Sequence, residues 1–384
     1  MMILGFLCLA VWTYLFLFHG RYWLSSPELP ASAPVAGPPV DVVVPARDEA
    51  PTIEPVIASL LAQEYAGGFR IFLVDDNSTD GTAERAGTAA NLTILQGRPK
   101  PPGWSGKMWA VSQGVAAGRA PLVLLTDADI VHHPRHLSSL AARLLAPSAR
   151  AASPDRVSEP DLVSAPELVS EMVRLNCTSL AERTLVPAFV YFFQMLYPFS
   201  RVNDPRSAVA AAAGGTVLVR RAALERIGGI EAIKGALIDD VALAKAVKSA
   251  GGALYLGHSG LAASIRPYPH VSDIWRMISR TAFTQLRYSA AMLLLTVLAL
   301  TLVWWVPVGL AAFGSGVQRA CGIGACALAA ASYLPTLRRY GRSPIGALAL
   351  PLIALFYMAA TVASALDHWR GAGASWKNRS YGGG

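Results

Sequence analysis

Long apolar runs lie at both ends of the chain. The first consists of roughly eighteen apolar residues, which is enough to span a bilayer, and Arg21 follows it directly. An Ala-Ser-Ala sequence at residues 31–33 leaves a cleaved signal peptide as the alternative. Because no positive charge precedes the run, the positive-inside bias favours an uncleaved anchor over residues 1–20, with the following residues in the cytoplasm.

Three further apolar segments, at residues 289–313, about 320–336 and 345–366, predict C-terminal transmembrane segments within residues 289–366. Arg338, Arg339 and Arg342 lie between the last two and are expected to face the cytoplasm. An outward N-terminus followed by four spans would leave the basic tail, residues 367–384, outside. A re-entrant or interfacial segment therefore stays open as an alternative.

Between the two ends, short apolar runs alternate with helical patterns. Runs at 41–46, 71–75 and 122–126 predict buried strands, and the stretches 52–64 and 80–90 predict helices. This alternation predicts a right-handed, mostly parallel α/β sheet in a domain spanning residues 40–272.

Three flanking or inserted segments differ in character. The Pro- and Ala-rich residues 21–39 predict a linker, and the Ser-, Pro- and Ala-rich residues 146–170 predict a surface insertion. Residues 273–288 combine Trp275 with several arginines just ahead of the membrane segments, which favours an interfacial helix.

The composition supports a membrane protein. The chain is 53% hydrophobic and only 15% charged, and its mean hydropathy is +0.40. The net charge of +8 raises the question of nucleic acid, but the basic residues cluster near hydrophobic segments, which fits anionic lipid better. No nucleic-acid partner is expected. The four cysteines show no metal-binding spacing and predict neither a disulfide framework nor a zinc site.

Polar side chains follow each predicted strand. Arg47 and Glu49 follow the first, Asp76 the second, and Asp127 and Asp129 the third. Turn chemistry explains any one of these clusters, but carboxylates meeting at one sheet edge would repel by several kcal/mol at short range. Hard oxygen ligands suit Mg²⁺ or Mn²⁺, which proteins share with substrate phosphates. The pattern therefore predicts a divalent cation and a nucleotide diphosphate at this edge.

A further acidic pair, Asp239 and Asp240, begins a predicted helix whose Val241, Ala244 and Val247 share a face. The helix dipole favours acids at this position, which is a purely structural explanation. The alternative is that the pair supplies a general base at the mouth of the cleft. The residues alone leave both interpretations open.

Three histidines, His132, His133 and His136, follow the Asp127-Ala128-Asp129 motif, called the D-x-D below. They are either supplementary metal ligands or members of an exposed polar loop, and the loop is the favoured interpretation.

The segments "VVVPARDEAPTI", "IFLVDDNSTDGT", "LLTDADI", "AAGGTVLVRRAALERIGG" and "IDDVALA" together resemble family 2 glycosyltransferases with the GT-A fold, a Rossmann-like α/β fold. The resemblance covers residues 40 to about 290. It implies a nucleotide-sugar site made of Pro45, Arg47, Glu49, Asp76, Lys107 and Asp127. It also implies that Asp129, with Asp127, ligates the divalent metal, and that Asp240 is the catalytic base. Asp239 stands where the family usually has Glu.

Processive members of the family carry a Q-x-x-R-W motif, whereas this chain has the shorter Gln285-Leu286-Arg287-Tyr288. The departure favours transfer of a single sugar and leaves Gln285, Arg287 and Tyr288 as candidate acceptor contacts.

Three longer stretches, "RPKPPGWSGKMWAVSQG", "LVPAFVYFFQMLYPF" and "RTAFTQLRYS", resemble bacterial hopanoid-biosynthesis-associated glycosyltransferases. This resemblance implies an enzyme of the bacterial inner membrane, with its catalytic domain facing the cytoplasm, that moves one sugar from a nucleotide-sugar donor to a hopanoid hydroxyl. The single base, with no second, nucleophilic carboxylate in the pattern, predicts that the transfer inverts the configuration. Phe192 and Phe193 are candidate acceptor contacts, with a core helix as the alternative. Other functions left open are transfer to a polyprenyl phosphate, carotenoid or sphingolipid-like acceptor, a sugar nucleotidyltransferase, and a non-catalytic hopanoid-binding or transport protein.

Overall fold

The computed structural model describes residues 2–146 and 165–371, together with the backbone of residues 375–376 and 379–380. Its strands are β1 (Val40–Ala46), β2 (Phe69–Asp75), β3 (Leu92–Gln96), β4 (Leu122–Thr126), β5 (Ile130–His132), β6 (Leu168–Arg174), β7 (Thr216–Arg220), β8 (Leu254–Ser264), β9 (Ser375–Trp376) and β10 (Arg379–Ser380).

The helices are α1 (Met2–Leu17), α2 (Ile53–Leu61), α3 (Thr82–Arg85), α4 (Gly106–Ala117), α5 (His136–Leu145), α6 (Leu180–Leu196), α7 (Phe199–Val202), α8 (Arg221–Arg226), α9 (Asp239–Ser249), α10 (Val271–Gln285), α11 (Ala290–Leu300), α12 (Val306–Phe313), α13 (Gly316–Arg339) and α14 (Leu350–Trp369). A π-helical turn, Thr301–Trp305, joins α11 to α12, and a 3₁₀ helix, Pro344–Ala349, precedes α14. Two other 3₁₀ helices span Tyr22–Leu24 and Ile230–Ile233.

The central sheet has eight strands in the order β3-β2-β1-β4-β7-β6-β8-β5. The strands from β3 to β4 are parallel, as predicted, but β7 runs antiparallel to both β4 and β6, and β5 runs antiparallel to β8. The sheet is therefore mixed: it is parallel from β3 to β4 and again between β6 and β8, and antiparallel at its other three pairings. The reversal has a consequence for the site, because Thr216 at the start of β7 pairs with Thr126 at the end of β4. The loop before β7 thus reaches the edge where the D-x-D lies.

Alternate side chains of the strands lie on opposite faces of the sheet and belong to two hydrophobic clusters. Val42 and Val44 face one cluster, which includes residues of α2 and α5, whereas Val43 and Val123 face the other. The predicted helix 52–64 is present as α2, but the predicted helix 80–90 is reduced to the single turn of α3. Gly87, with a φ of 72°, follows α3 in a left-handed conformation that a helix cannot continue through.

Three C-terminal helical segments, Ala290–Phe313, Gly316–Arg339 and Pro344–Trp369, are long and apolar enough to cross a membrane. They confirm the predicted C-terminal segments in length and composition. α1 is apolar but has only 16 residues, or about 24 Å of helix against a hydrocarbon core of about 30 Å. It therefore supports the predicted anchor by its composition and not by its length. α1 packs on the others, since Trp12 Nε1 donates to Val303 O at 2.8 Å.

Helix α6 joins the sheet domain to these apolar helices. The hydroxyl of the fully buried Tyr191 lies 3.0 Å from that of Tyr22 and 2.7 Å from Ser332 Oγ. The ring of Phe192 packs edge-on against Trp304 of the π-helical turn and Tyr357 of α14. The aromatic stretch is therefore part of the contact between the domain and the apolar helices.

The segment predicted as a linker packs against the domain. Leu29 N donates to His258 O at 2.8 Å, and Ser32 N donates to Ser139 Oγ at 2.9 Å. Residues 168–170, counted in the predicted insertion, belong to β6. Residues 147–164 of that insertion lie outside the described residues.

Candidate active site

The predicted donor residues meet at one edge of the sheet. Pro45 is the last residue but one of the fully buried β1, and Arg47 follows the strand with its guanidinium donating to the backbone oxygen of Asp76. Asp76 is buried just after β2, with its carboxylate 3.6 Å from the same guanidinium. Because β1, β2 and β4 are parallel, their carboxyl ends place these groups beside the D-x-D.

Lys107 connects the D-x-D to the second acidic pair. Its Nζ lies 2.8 Å from Asp127 Oδ1 and 3.0 Å from Asp239 Oδ2. Burial opposes the ammonium charge, but the two carboxylates outweigh it and raise the pKa of Lys107. Burial raises the pKa of Asp127, and the lysine opposes this rise while Asp129 and Asp239 add to it. Lys107 is therefore a fixed cation among converging carboxylates.

A second cation, Arg266, was not singled out by the sequence patterns. Its Nε donates to Asp129 Oδ2 at 2.7 Å and its Nη2 donates to Glu49 Oε1 at 2.6 Å. Burial opposes its charge, but the pKa of Arg266 is raised because Asp129 and Glu49 flank it. Arg266 follows β8, a strand that the sequence patterns did not predict, so no local signal marked its position.

Asp240 lies at the start of α9, in a pocket it shares with Pro45, Lys107 and Asp127. The backbone N–H of Val241 donates to Asp240 Oδ1 at 2.7 Å. Burial raises the pKa of Asp240 to about 7, and the like charge of Asp239 adds to the rise. A carboxyl group with a pKa near neutrality suits a general base.

Gly214 lies directly against this carboxylate. A Cβ placed on Gly214 would lie 3.1 Å from Asp240 Oδ2, closer than nearly all real contacts of that kind. Gly214 lies in a segment that resembles the glycosyltransferase family, but no residue spacing in that segment predicts a contact with Asp240.

The candidate acceptor residues of the Gln285-Leu286-Arg287-Tyr288 motif are divided by the structure. Gln285 Nε2 donates to the hydroxyl of Tyr197, and Asp240 is near enough to contribute to raising the pKa of that tyrosine, although burial is the main cause. Tyr288 instead stacks on His368 of α14, with ring centroids 4.5 Å apart. The structure thus brings Gln285 towards Asp240 and Tyr288 towards the end of α14.

The histidines near the D-x-D are not a single exposed loop. His133 is exposed, as predicted, but His132 and His136 are buried, so the loop interpretation is wrong for these two. The reason is that His132 belongs to β5, which pairs with β8, and His136 begins α5, whose first residues are buried.

The donor set fits a divalent cation. The acids Glu49, Asp127, Asp129, Asp239 and Asp240 outnumber the two cations Lys107 and Arg266, so the site carries surplus negative charge when its acids are ionised. Among the described residues no group of three or more His, Cys, Asp or Glu side chains is arranged to hold a metal ion. A cation here therefore depends on further oxygen ligands, which is how Mg²⁺ is commonly held between one or two carboxylates and substrate phosphates.

Two family models match the chain. The model described as glycosyl transferase family 2 matches residues 41–228, which carry β1, β2, the D-x-D and β7. Residues 41–228, just under half of the chain, are thus similar to family 2 glycosyltransferases. A second model, glycosyl transferase family 21, matches residues 193–382. The glycosyltransferase class predicted from the sequence is confirmed for this domain.

The curated relatives match only part of the chain. An N-acetylglucosaminyltransferase of Rhizobium leguminosarum bv. viciae is 37% identical over 123 residues, covering 30% of this chain and 27% of the relative. A glucosyl-3-phosphoglycerate synthase of Mycolicibacterium paratuberculosis is 34% identical over 113 residues, covering 29% of this chain and 34% of the relative. The chain thus spans about a third or less of these relatives.

Among solved structures, the mannosyltransferase PcManGT from Pyrobaculum calidifontis, in complex with GDP-Man and Mn²⁺, is similar over most of its length. It aligns with a TM-score of 0.58 at 20% identity, over 95% of this chain and 98% of that one. At this identity the likeness supports the fold, and it agrees with the predicted GT-A domain. The finer resemblance to hopanoid-associated enzymes stays a prediction.

Proposed function

We propose that this protein is a membrane-bound inverting glycosyltransferase that moves a single sugar from a nucleotide-sugar donor to a lipid hydroxyl. The observation that carries the proposal is the position of Asp240. This carboxyl group shares a pocket with Lys107 and Asp127, burial raises its pKa to about 7, and its charge reaches Tyr197 at the end of the helix that contacts the apolar helices.

The donor would bind at the edge formed by β1, β2 and β4. Arg47 and Asp76 would hold the nucleoside, and Lys107 would contact the diphosphate. The PcManGT complex with GDP-Man and Mn²⁺ supports a nucleotide-sugar donor and a divalent metal. Asp127 and Asp129 would hold the metal, which neutralises charge on the departing nucleotide diphosphate when bound.

Asp240 would act as the base on the acceptor side. A lipid hydroxyl is a poor nucleophile near neutral pH and must lose its proton as it attacks the anomeric carbon. With Asp240 as the one base and no second carboxylate assigned as a nucleophile, attack is direct and inverts the configuration. An acceptor phosphate is already ionised and would need no base, so the raised pKa of Asp240 favours a hydroxyl acceptor over a polyprenyl phosphate.

A lipid acceptor is supported by the way α6 joins the two parts of the molecule. Its C-terminal cap Tyr197 lies within range of the charge of Asp240, and one turn and a half earlier Phe192 contacts Trp304. Trp304 also lines an apolar cavity between the helices, together with Trp12, Pro307, Cys326 and Leu348. A hydrocarbon skeleton held there would contact Trp304, the ring against which Phe192 of α6 packs, and the resemblance noted above makes a hopanoid the first acceptor to test.

The basic residues at the end of α13 support a cytoplasmic catalytic domain. Arg339, the last residue of α13, forms an ion pair with Glu28 in the segment that packs against the sheet domain. This contact supports placing the basic cluster and the catalytic domain on one side, and under the positive-inside bias that side would be the cytoplasmic face of the bacterial inner membrane.

Replacing both Phe192 and Phe193 with serine should weaken lipid transfer and leave hydrolysis of the donor largely intact. Each lost apolar contact is worth about 1.5–3 kcal/mol, and the loss falls on the acceptor side. The KM for the lipid and the rate of donor hydrolysis are measured on the folded double variant. If both activities fall together with the melting temperature, the two rings serve the core and not the acceptor.

The transfer rate should rise with pH up to about 7 and then level off. Asp240 accepts a proton only when ionised, and its pKa is raised to about 7 by burial and by Asp239. Below pH 7, kcat/KM should fall about tenfold for each pH unit. Asp239→Asn removes the like charge, so its profile should shift to lower pH. Coincident profiles for the two proteins would exclude this coupling.

The proposed function as a whole is tested by lipid profiling of cells. A strain lacking the gene should lose one glycolipid, and the wild-type gene should restore it while the Asp240→Asn gene should not. An unchanged lipid profile in the deletion strain would contradict a lipid acceptor.

A further inference from the structure

A chain of buried polar side chains lies beneath the D-x-D and is not used by the proposed mechanism. Glu171 on β6 is fully buried, and its Oε1 lies 2.6 Å from His136 Nε2. His136 Nδ1 lies 2.9 Å from His132 Nδ1, and His132 Nε2 lies 3.1 Å from the hydroxyl of Thr126. Among the described residues, the close charged contact of Glu171 is the one with His136.

The protons in this chain can be assigned from its far end. The hydroxyl of Thr126 donates its single proton to the carbonyl of Gly215, at 2.9 Å, because a carbonyl can only accept. Thr126 Oγ1 must therefore accept from His132, which places a proton on His132 Nε2. Burial lowers the pKa of His132 well below its usual value, so its ring is neutral and Nδ1 accepts from His136 Nδ1.

His136 thus donates through Nδ1 to His132, while its Nε2 faces the carboxylate of Glu171 at 2.6 Å. Buried ionisable groups are tolerated when paired in this way. The pair therefore serves as the fixed start of a directional hydrogen-bonded chain.

The other end of the chain joins the two halves of the candidate active site. Gly215 O accepts from the Thr126 hydroxyl and also from Asp127 N, at 3.2 Å. The preceding residue, Gly214, is the one that lies against the carboxylate of Asp240. One carbonyl group thus ties the D-x-D to the loop that supports the base.

We propose that Glu171, His136, His132 and Thr126 are positioning residues that fix the D-x-D relative to Asp240. The inference rests on the proposed function, in which the D-x-D holds the donor and Asp240 activates the acceptor. Rate depends steeply on this relative position, since a misplacement of about 1 Å can cost roughly a hundredfold.

Substitutions at Thr126 separate positioning from packing. Thr126→Ser keeps the hydroxyl and loses a methyl group, whereas Thr126→Val keeps the shape and loses the hydroxyl. If the hydrogen-bonded side chains act as proposed, the valine variant should lose at least tenfold in kcat while its donor affinity stays within threefold of wild type. The serine variant should stay close to wild type in both. A role in packing alone predicts the reverse order.

A matched control lies on the neighbouring strand. Thr216 pairs directly with Thr126, is equally buried, and its hydroxyl has no partner among the described residues. Thr216→Val should therefore leave kcat unchanged. Equal losses for the two valine variants, or a wild-type kcat for Thr126→Val, would overturn the proposal.

The upstream end is tested by a double variant. Glu171→Gln should lower kcat, and the Thr126→Val/Glu171→Gln protein should be no slower than the slower single variant, because both changes break one chain. Additive losses in kcat would contradict the proposal that both residues act through one series of hydrogen bonds. If Glu171→Gln does not fold, the Thr126 variants decide.

A spectroscopic measurement separates this inference from the proposed function. The ¹⁵N shifts of the imidazole nitrogens should show a neutral His132 with its proton on Nε2 in the wild-type protein, and a changed tautomer equilibrium in Thr126→Val. If the wild-type protein shows no transfer activity, the proposed function is refuted, but the tautomer of His132 can still be measured. An imidazole protonated on Nδ1 of His132 would refute the chain.

Discussion

Asp240→Asn should fold, bind donor and metal, and transfer sugar at least about a hundredfold more slowly than the wild-type protein. Asparagine has nearly the same shape as aspartate but cannot accept a proton, and general-base catalysis contributes roughly 10²- to 10⁴-fold to a rate. The amide can still face Val241 N–H with its oxygen, so the start of α9 keeps its hydrogen bond. Single-turnover transfer and donor affinity, measured on the same preparation, separate lost chemistry from lost binding.

Asp239→Asn is the matched comparison for that variant. Asp239 contacts Lys107 at 3.0 Å but is assigned no proton transfer, so its substitution should slow transfer less than the substitution of Asp240. If Asp240→Asn transfers sugar at nearly the wild-type rate while Asp239→Asn does not, the roles of the two acids are exchanged.

Asp129→Ala should abolish the dependence of donor binding on a divalent cation. Asp129 is the acid of the D-x-D assigned to the metal, and without it the diphosphate would lack its bridging cation. We expect the gain in nucleotide diphosphate affinity on adding Mn²⁺ to fall by about a hundredfold, or about 2.8 kcal/mol. Isothermal calorimetry with and without Mn²⁺ measures this gain directly.

The structure supplies two comparisons for that measurement. Asp204 is an exposed acid whose Oδ1 accepts from the backbone of Arg206, so Asp204→Ala should leave the Mn²⁺ effect intact. Arg266→Gln removes the cation that pairs with Asp129 at 2.7 Å, so Mn²⁺ binding without nucleotide should strengthen. An undiminished Mn²⁺ effect in Asp129→Ala would remove Asp129 from the metal site.

The first half of the sheet could be predicted from the sequence because its strands are short apolar runs that end in polar clusters. β1, β2 and β4 are buried on both faces and have that form. β6 and β8 do not, since Ser170 and Glu171 interrupt one and His258 and Ser259 the other, all of them buried by tertiary contacts. Local patterns therefore missed both strands and with them the mixed second half of the sheet.

The candidate site could be predicted where it consists of acids at a recognisable spacing in the sequence. It could not be predicted where two residues far apart in the sequence contact each other. The convergence of Asp127, Asp239 and Lys107 follows from motifs that the sequence displays. The pairing of Arg266 with Asp129 spans 137 positions along the chain, and no local pattern encodes it. The histidines were misjudged for a related reason. Their polar sequence suggested exposure, whereas Glu171, from an unpredicted strand, provides the buried partner.

The central claim is that the protein transfers sugar to a lipid, and transfer in vesicles tests it most directly. Purified protein is reconstituted in phospholipid vesicles that contain a hydroxylated hopanoid. It is then given radiolabelled UDP- and GDP-sugars in turn, with Mn²⁺, beside Asp240→Asn as the inactive control. We predict label in the organic phase from at least one donor, dependent on Mn²⁺ and on Asp240, in a product that carries one sugar with inverted configuration. Label that stays entirely in the aqueous phase, or that reaches the lipid equally with Asp240→Asn, would contradict the account.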